Sequence, residues 1–134
     1  MGASSLNTKD LISQHIKIRF SNYFSYFCSM NNRQQIVLAR IKKQVKEIDP
    51  LADVILYGSR ARGDSRPDSD WDILILVNSP ADIETEKVFR HKLYDVELDL
   101  GEAVSTYVYN KQEWNTKYWM TPLFKNISSE GIVI

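Results

Sequence analysis

Apolar residues recur at Val37, Ile41, Val45 and Ile48, while Arg40, Lys42, Lys43, Lys46 and Glu47 lie mostly off that stripe, so the spacing predicts an amphipathic helix. Asn31-Asn32 supplies a cap region and Asp49-Pro50 a stop. Asp53–Tyr57 then reads as a short buried strand ended by Gly58-Ser59, and Trp71–Val77 as a second. The five-residue apolar run of the second predicts a central strand covered on both faces. Residues 82–93 read as a helix with Ile83, Val88 and Leu93 inward. From Tyr94 to Leu100 the chain alternates, Val96, Leu98 and Leu100 against Asp95, Glu97 and Asp99, which predicts a third strand with one polar face. Gly101-Glu102 turns into a candidate fourth strand over Ala103–Tyr109, and residues 111–129 read as helix interrupted at Pro122. The order helix, strand, strand, helix, strand, strand, helix predicts an α/β (α+β) domain, a mixed β-sheet flanked by helices.

Residues 1–29 break this regularity. Arg19–Met30 holds five aromatics among serines and asparagines with no clean period, so residues 1–29 are expected to be an extension or poorly ordered arm, with Met30 as the functional start and residues 30–134 as the domain. With 134 residues there is room for one domain, and 43% hydrophobic with 25% charged residues is the make-up of a chain with a real core.

Charge changes the picture by its placement. Net charge is zero, but Lys9, Lys17 and Arg19 against Asp10 leave residues 1–29 at +2 and residues 30–134 therefore at −2, which disfavours a template-bound nucleic acid polymerase. Cys28 has no partner for an internal disulfide, and His15 and His91 lack zinc-type spacing. No apolar run approaches the roughly 18 residues of a membrane span. A cytoplasmic protein is expected.

The chemistry gathers in residues 57–75. Asp70 and Asp72, at i and i+2 of a strand, project from one face, where two carboxylates repel unless protonated or bridged by a cation. Oxygen-only ligands suit Mg²⁺, which prefers a carboxylate or two plus substrate phosphate. Gly58-Ser59 closes the preceding strand in a turn that lets backbone N–H groups approach phosphate, and Arg60, Arg62 and Arg66, between the two features, are expected beside a nucleotide to screen triphosphate charge. Each is ordinary alone: an isolated Gly-Ser is usually a turn, and each arginine could simply pair with Asp64 or Asp68. Jointly they suit phosphoryl transfer, which calls for a further anion. Glu97 and Asp99 are the candidates, with Asp99 favoured and Glu97 as the alternative.

Gly58-Ser59, ten intervening residues and Asp70-Trp71-Asp72 resemble the GSx10DxD signature of the nucleotidyltransferase superfamily to which DNA polymerase beta belongs. The longer string GSRARGDSRPDSDWDILIL resembles the small prokaryotic members called minimal nucleotidyltransferases, a resemblance spanning about residues 30–134. It implies a nucleoside triphosphate, ATP most often, on Gly58 and Ser59, two Mg²⁺ ions on Asp70 and Asp72, and a third acidic ligand on a later strand, matched best by Asp99. The implied reaction moves a nucleoside monophosphate to an acceptor hydroxyl with release of pyrophosphate. The expected partner is a second protein of HEPN type, a toxin that minimal members neutralise, or a second copy of the chain. Neutralisation by binding alone, as an antitoxin or interaction module, is the alternative.

Overall fold

The computed structural model describes residues 23–134. Its elements are α1 (Tyr23–Ser29), α2 (Asn32–Ile48), β1 (Asp53–Tyr57), α3 (Ser59–Arg62), β2 (Trp71–Val77), α4 (Ile83–Leu100), β3 (Val104–Asn110), α5 (Lys111–Thr116), α6 (Pro122–Glu130) and β4 (Ile132–Val133). The sheet order is β3-β2-β1-β4; β1 runs antiparallel to β2 and β4, and β3 parallel to β2. A parallel neighbour needs a crossover, and α4 supplies it. The fold is the expected mixed sheet flanked by helices. Among the described residues no helix is long and apolar enough to cross a membrane.

The apolar run of β2 serves two cores. Ile73, Ile75 and Val77 join Val54 and Leu56 of β1 under α2 and α4, which contribute Val37, Leu38, Ile41, Val45, Phe89, Leu93 and Val96. On the opposite face Leu74 and Leu76 join Ile55 and Tyr57 with Trp114 of α5 and Ile127 of α6. The period of two along β2 thus sorts Asp72, between Trp71 and Ile73, onto the α5–α6 face. Asn31 caps α2 as expected: its side chain accepts from Gln34 N–H, while the Gln34 side chain accepts from Asn31 N–H, a complete capping box.

Residues 94–100, expected as a third strand, instead form the last two turns of α4. Val96 and Leu100 are spaced four apart and fit a helical face as well as an alternating one, and Leu98, the residue that separates the two patterns, is 65% exposed. Asp82 starts α4 by accepting from Thr85 N–H, and Gly101, at φ 67°, ends it by donating to the Glu97 carbonyl. Within α4 the inward stripe is Phe89, Leu93 and Val96; Ile83 and Val88, expected inward, face solvent. The candidate fourth strand is therefore β3.

Pro122 occupies the first turn of α6, where its missing N–H is harmless, so the predicted interruption separates two helices. Tyr23, Tyr26 and Phe27 of α1 pack on the core under α2, and the Tyr26 hydroxyl donates to the Arg60 carbonyl. The expected boundary after Ser29 thus falls between two packed helices, and the expectation for residues 1–22 lies outside the described residues.

Candidate active site

β1 ends with Tyr57 directly opposite Asp72 on β2, so the turn that follows is delivered to the start of β2. Gly58 adopts φ 74° and ψ −158°, a region open essentially to glycine alone. A Cβ built there would lie 2.1 Å from Asp72 Oδ2 and 3.0 Å from its Cγ. Glycine is therefore required twice, by conformation and by the approach of the carboxylate. Ser59 opens the four-residue α3, which Gly63 ends at φ 83°, and Ala61 and Arg62 N–H both return to the Gly58 carbonyl. The N–H groups of Ser59 and Arg60, at the open end of that turn, take no backbone carbonyl among the described residues.

Asp72 is half-buried and Asp70 exposed at the mouth of β2. Burial pushes the Asp72 carboxyl above the ordinary aspartate range; Asp70 pushes it further, Arg62 opposes, and Glu130 adds to the rise. The hydroxyl of Tyr57 is likewise raised, first by burial and then by Asp72. No third His, Cys, Asp or Glu completes a metal cluster with this pair among the described residues. Two carboxylates whose repulsion already strains one of them, with oxygen donors only, fit a hard divalent cation that completes its shell with water and substrate phosphate.

The three arginines part company. Arg60, expected beside phosphate, is turned inward with its side chain 5% exposed. Its guanidinium donates to the Ser69 carbonyl at 2.8 Å, lies 3.6 Å from Glu102 and stacks 4.6 Å over the Trp71 ring. It binds the 63–70 loop to the domain and does not face the carboxylates. Arg62 does: its charge acts on Asp72, and it pairs with Glu130 at 2.9 Å and Asp64 at 3.3 Å. Arg66 lies exposed on the connecting loop with no ion pair among the described residues.

The expected third carboxylates go elsewhere because their segment is helix. Asp99 pairs with Arg40 of α2 at 2.8 Å, on the α2–α4 side of the sheet, opposite the face that carries Asp72. Glu97 accepts from Val104 N–H at 2.7 Å and secures the entry to β3. On β3 itself the register neighbour of Asp72 is Ser105, and the strand holds no acid. The acid that approaches is Glu130, at the end of α6. Its two oxygens take Gly58 N–H at 3.2 Å and Arg62 Nη1 at 2.9 Å. Nothing in its sequence neighbourhood marks it, since the pairing of β4 with β1 brings it in across 72 residues. Glu102 was equally silent: it gathers Arg33, Arg60 and the Trp71 Nε1–H.

A groove of about 790 Å³ between the end of α2 and α4 touches none of this. Its charged rim is spent on Lys92–Glu47 and Lys87–Glu84 pairs, and His91 there is exposed.

A glycine–serine turn set against a pair of carboxylates across two antiparallel strands, on a mixed sheet with helices on both faces, is the arrangement of a nucleotidyltransferase. Residues 38–132 match the family described as Nucleotidyltransferase domain, and the chain belongs to that family, as a minimal nucleotidyltransferase. Over 79 residues it is 37% identical to a protein of Methanocaldococcus jannaschii that carries the provisional name protein adenylyltransferase, an alignment covering 56% of this chain and 78% of the relative. The chain is accordingly a nucleotidyltransferase enzyme, with a nucleoside triphosphate as substrate and a divalent metal as its general requirement.

Proposed function

We propose that the chain transfers AMP from ATP, with Mg²⁺, to a hydroxyl on a partner protein. The observation that carries the reading is the seating of Gly58 against the Asp72 carboxylate, which joins a phosphate-type turn to a cation-type pair within one contact. The nucleotide and the acceptor class are those in the name of the archaeal relative. Asp70 and Asp72 would hold the metal, which supplies activation of the attacking hydroxyl and neutralisation of the pyrophosphate leaving group. The Ser59 hydroxyl and the N–H groups of Ser59 and Arg60 bind phosphate oxygens, and Arg62 offsets their charge. The acceptor oxygen forms a bond to the α-phosphorus as the bond to the bridging oxygen of pyrophosphate breaks. The hydroxyl proton leaves to solvent at the mouth of β2, where Asp70 is exposed.

A second reading, neutralisation of the partner by binding with little turnover, has one observation in its favour. Ser105 stands beside Asp72 where a third carboxylate on β3 would complete the metal set. Incubation with labelled ATP and Mg²⁺, with and without a HEPN-type protein encoded beside this chain, tests both. Asp70→Asn and Asp72→Asn should each abolish label transfer, while Asp99→Asn, on the far side of the sheet, should keep it within about threefold. Unlabelled but neutralised partner, unaffected by either Asn variant, would favour binding alone. Transfer that survives Asp72→Asn would overturn the site.

A further inference from the structure

Glu130 is the last residue of α6, and Ile132–Val133 pairs with β1 directly after it. Its side chain is 15% exposed, and its two oxygens are divided between the ends of the turn that carries Ser59: Gly58 N–H at one end and the Arg62 guanidinium at the other. The four-residue α3 between those ends has no side-chain cap of its own. On its other side the turn rests on Asp72 through the Gly58 Cα, with no room for even a methyl group. The turn is therefore held between two carboxylates, one at the reacting centre and one behind it.

We infer that Glu130 is a positioning residue for nucleotidyl transfer, fixing the Gly58–Arg62 turn at its working distance from Asp72 without itself touching substrate. The inference rests on the transfer reading of the Gly58–Asp72 site and adds to it a residue from the far end of the chain. The backbone bond from Gly58 N–H carries the effect, because it sets the height of Ser59 over the carboxylates. The Arg62 contact orients a flexible side chain that Asp64 also holds. A methylene removed or an acceptor lost at position 130 lets the turn settle toward Asp72 or lift from it, and misplacement of about 1 Å at a reacting centre lowers turnover by about 100-fold.

Three variants of the full chain separate reach from charge. Glu130→Gln keeps an acceptor for Gly58 N–H and loses the charge; Glu130→Asp keeps the charge and loses the reach; Glu130→Ala loses both. Two readouts are needed: amide hydrogen exchange at Gly58 in the nucleotide-free protein, and kcat and KM for label transfer from ATP. Exchange at Gly58 should rise about tenfold or more in Glu130→Asp and Glu130→Ala and stay near wild type in Glu130→Gln. Turnover should follow the same order, falling about 10- to 100-fold in Asp and Ala variants with KM for ATP little changed, and recovering in Gln to within about fivefold. Should Glu130→Ala fail to fold, the comparison of Asp with Gln decides alone. Activity that follows charge, with Asp above Gln, would overturn the inference, as would wild-type turnover in Glu130→Asp. A lower KM in every variant would do so too, by making Glu130 a competitor of phosphate. Wild-type protein that protects Gly58 yet transfers nothing would sink the transfer reading and leave the clamp standing.

Discussion

Replacing Gly58 by alanine tests the site at its tightest point. Two separate terms act. The backbone at φ 74° and ψ −158° is essentially closed to residues with a Cβ, and holding one there costs about 1–3 kcal/mol. At about 4 °C per kcal/mol for a chain of this size, that lowers the melting temperature by about 4–12 °C. The second term falls on Asp72. The new methyl carbon would lie 2.1 Å from Oδ2, against the 3.0 Å below which real contacts essentially do not occur, and 3.0 and 3.3 Å from Cγ and Cβ. A simple swing of one oxygen does not clear all three, so the whole carboxyl group must retreat by about 1 Å, enough to lower transfer about 100-fold. The assay pairs calorimetric unfolding at neutral pH with Mg²⁺-dependent transfer of labelled nucleotide, each compared with wild type. A Gly58→Ala protein that melts within 2 °C of wild type (about 0.5 kcal/mol) and transfers label at an undiminished rate would refute both the strained turn and its contact with the Asp72 carboxylate. A lower melting temperature with full transfer would refute the second alone.

Two further outcomes follow from the same geometry. Because burial and Asp70 raise the Asp72 carboxyl above its unfolded value, the folded chain holds more protons than the unfolded one in that window, and stability falls as pH rises through it. Asp72→Asn, isosteric and uncharged, should therefore raise the metal-free melting temperature at neutral pH, with the gain shrinking as pH drops below the ordinary aspartate range; a variant less stable than wild type at neutral pH would contradict this. Arg60→Ala removes a buried guanidinium from Glu102, from the Ser69 carbonyl and from the Trp71 face, and should lower unfolding stability by about 3–5 kcal/mol, read as the urea midpoint. An unchanged midpoint would show that Arg60 is not the fastening of the 63–70 loop.

Those consequences trace how far the sequence could be read. Local signals sufficed where one pattern fitted one element: the one-sided stripe of α2 with its Asn31 cap, the unbroken apolar run of β2 buried on both faces, and the glycine–serine turn with its Asp70–Asp72 pair are all visible in the sequence. The end of α4 was not, because three apolar residues two apart cannot separate a half-buried strand from a helix when the first and last are also four apart. Topology did not separate them either, because residues 78–93 are already long enough to cross over to a strand parallel to β2; the exposure of Leu98 beside the buried Phe89, Leu93 and Val96 is what distinguishes helix from strand.

The arginines and the third acid were illegible for a different reason: their roles depend on which side of a turn faces the carboxylates. Arg60 and Arg62 are two residues apart on α3, so about 200° separates their directions around a helix. One must face the Trp71 side when the other faces Asp72, yet composition and spacing make them equivalent. Glu97 and Asp99 were drawn toward the site only by a strand that does not exist, and once that segment is helical their carboxylates go to the β3 entry and to Arg40. The carboxylate that does reach the turn comes from the chain's other end, through a two-residue strand pairing with β1. Its arrival changes what the site asks of the protein. On the proposed reading, with Ser105 beside Asp72, the metal would be held by two protein carboxylates and would lean on substrate phosphate for the rest of its shell. Nucleotide and metal would then bind as mutually dependent partners, and the precision of the phosphate turn, set by Gly58 and Glu130, would matter more than in a site with a complete protein cage.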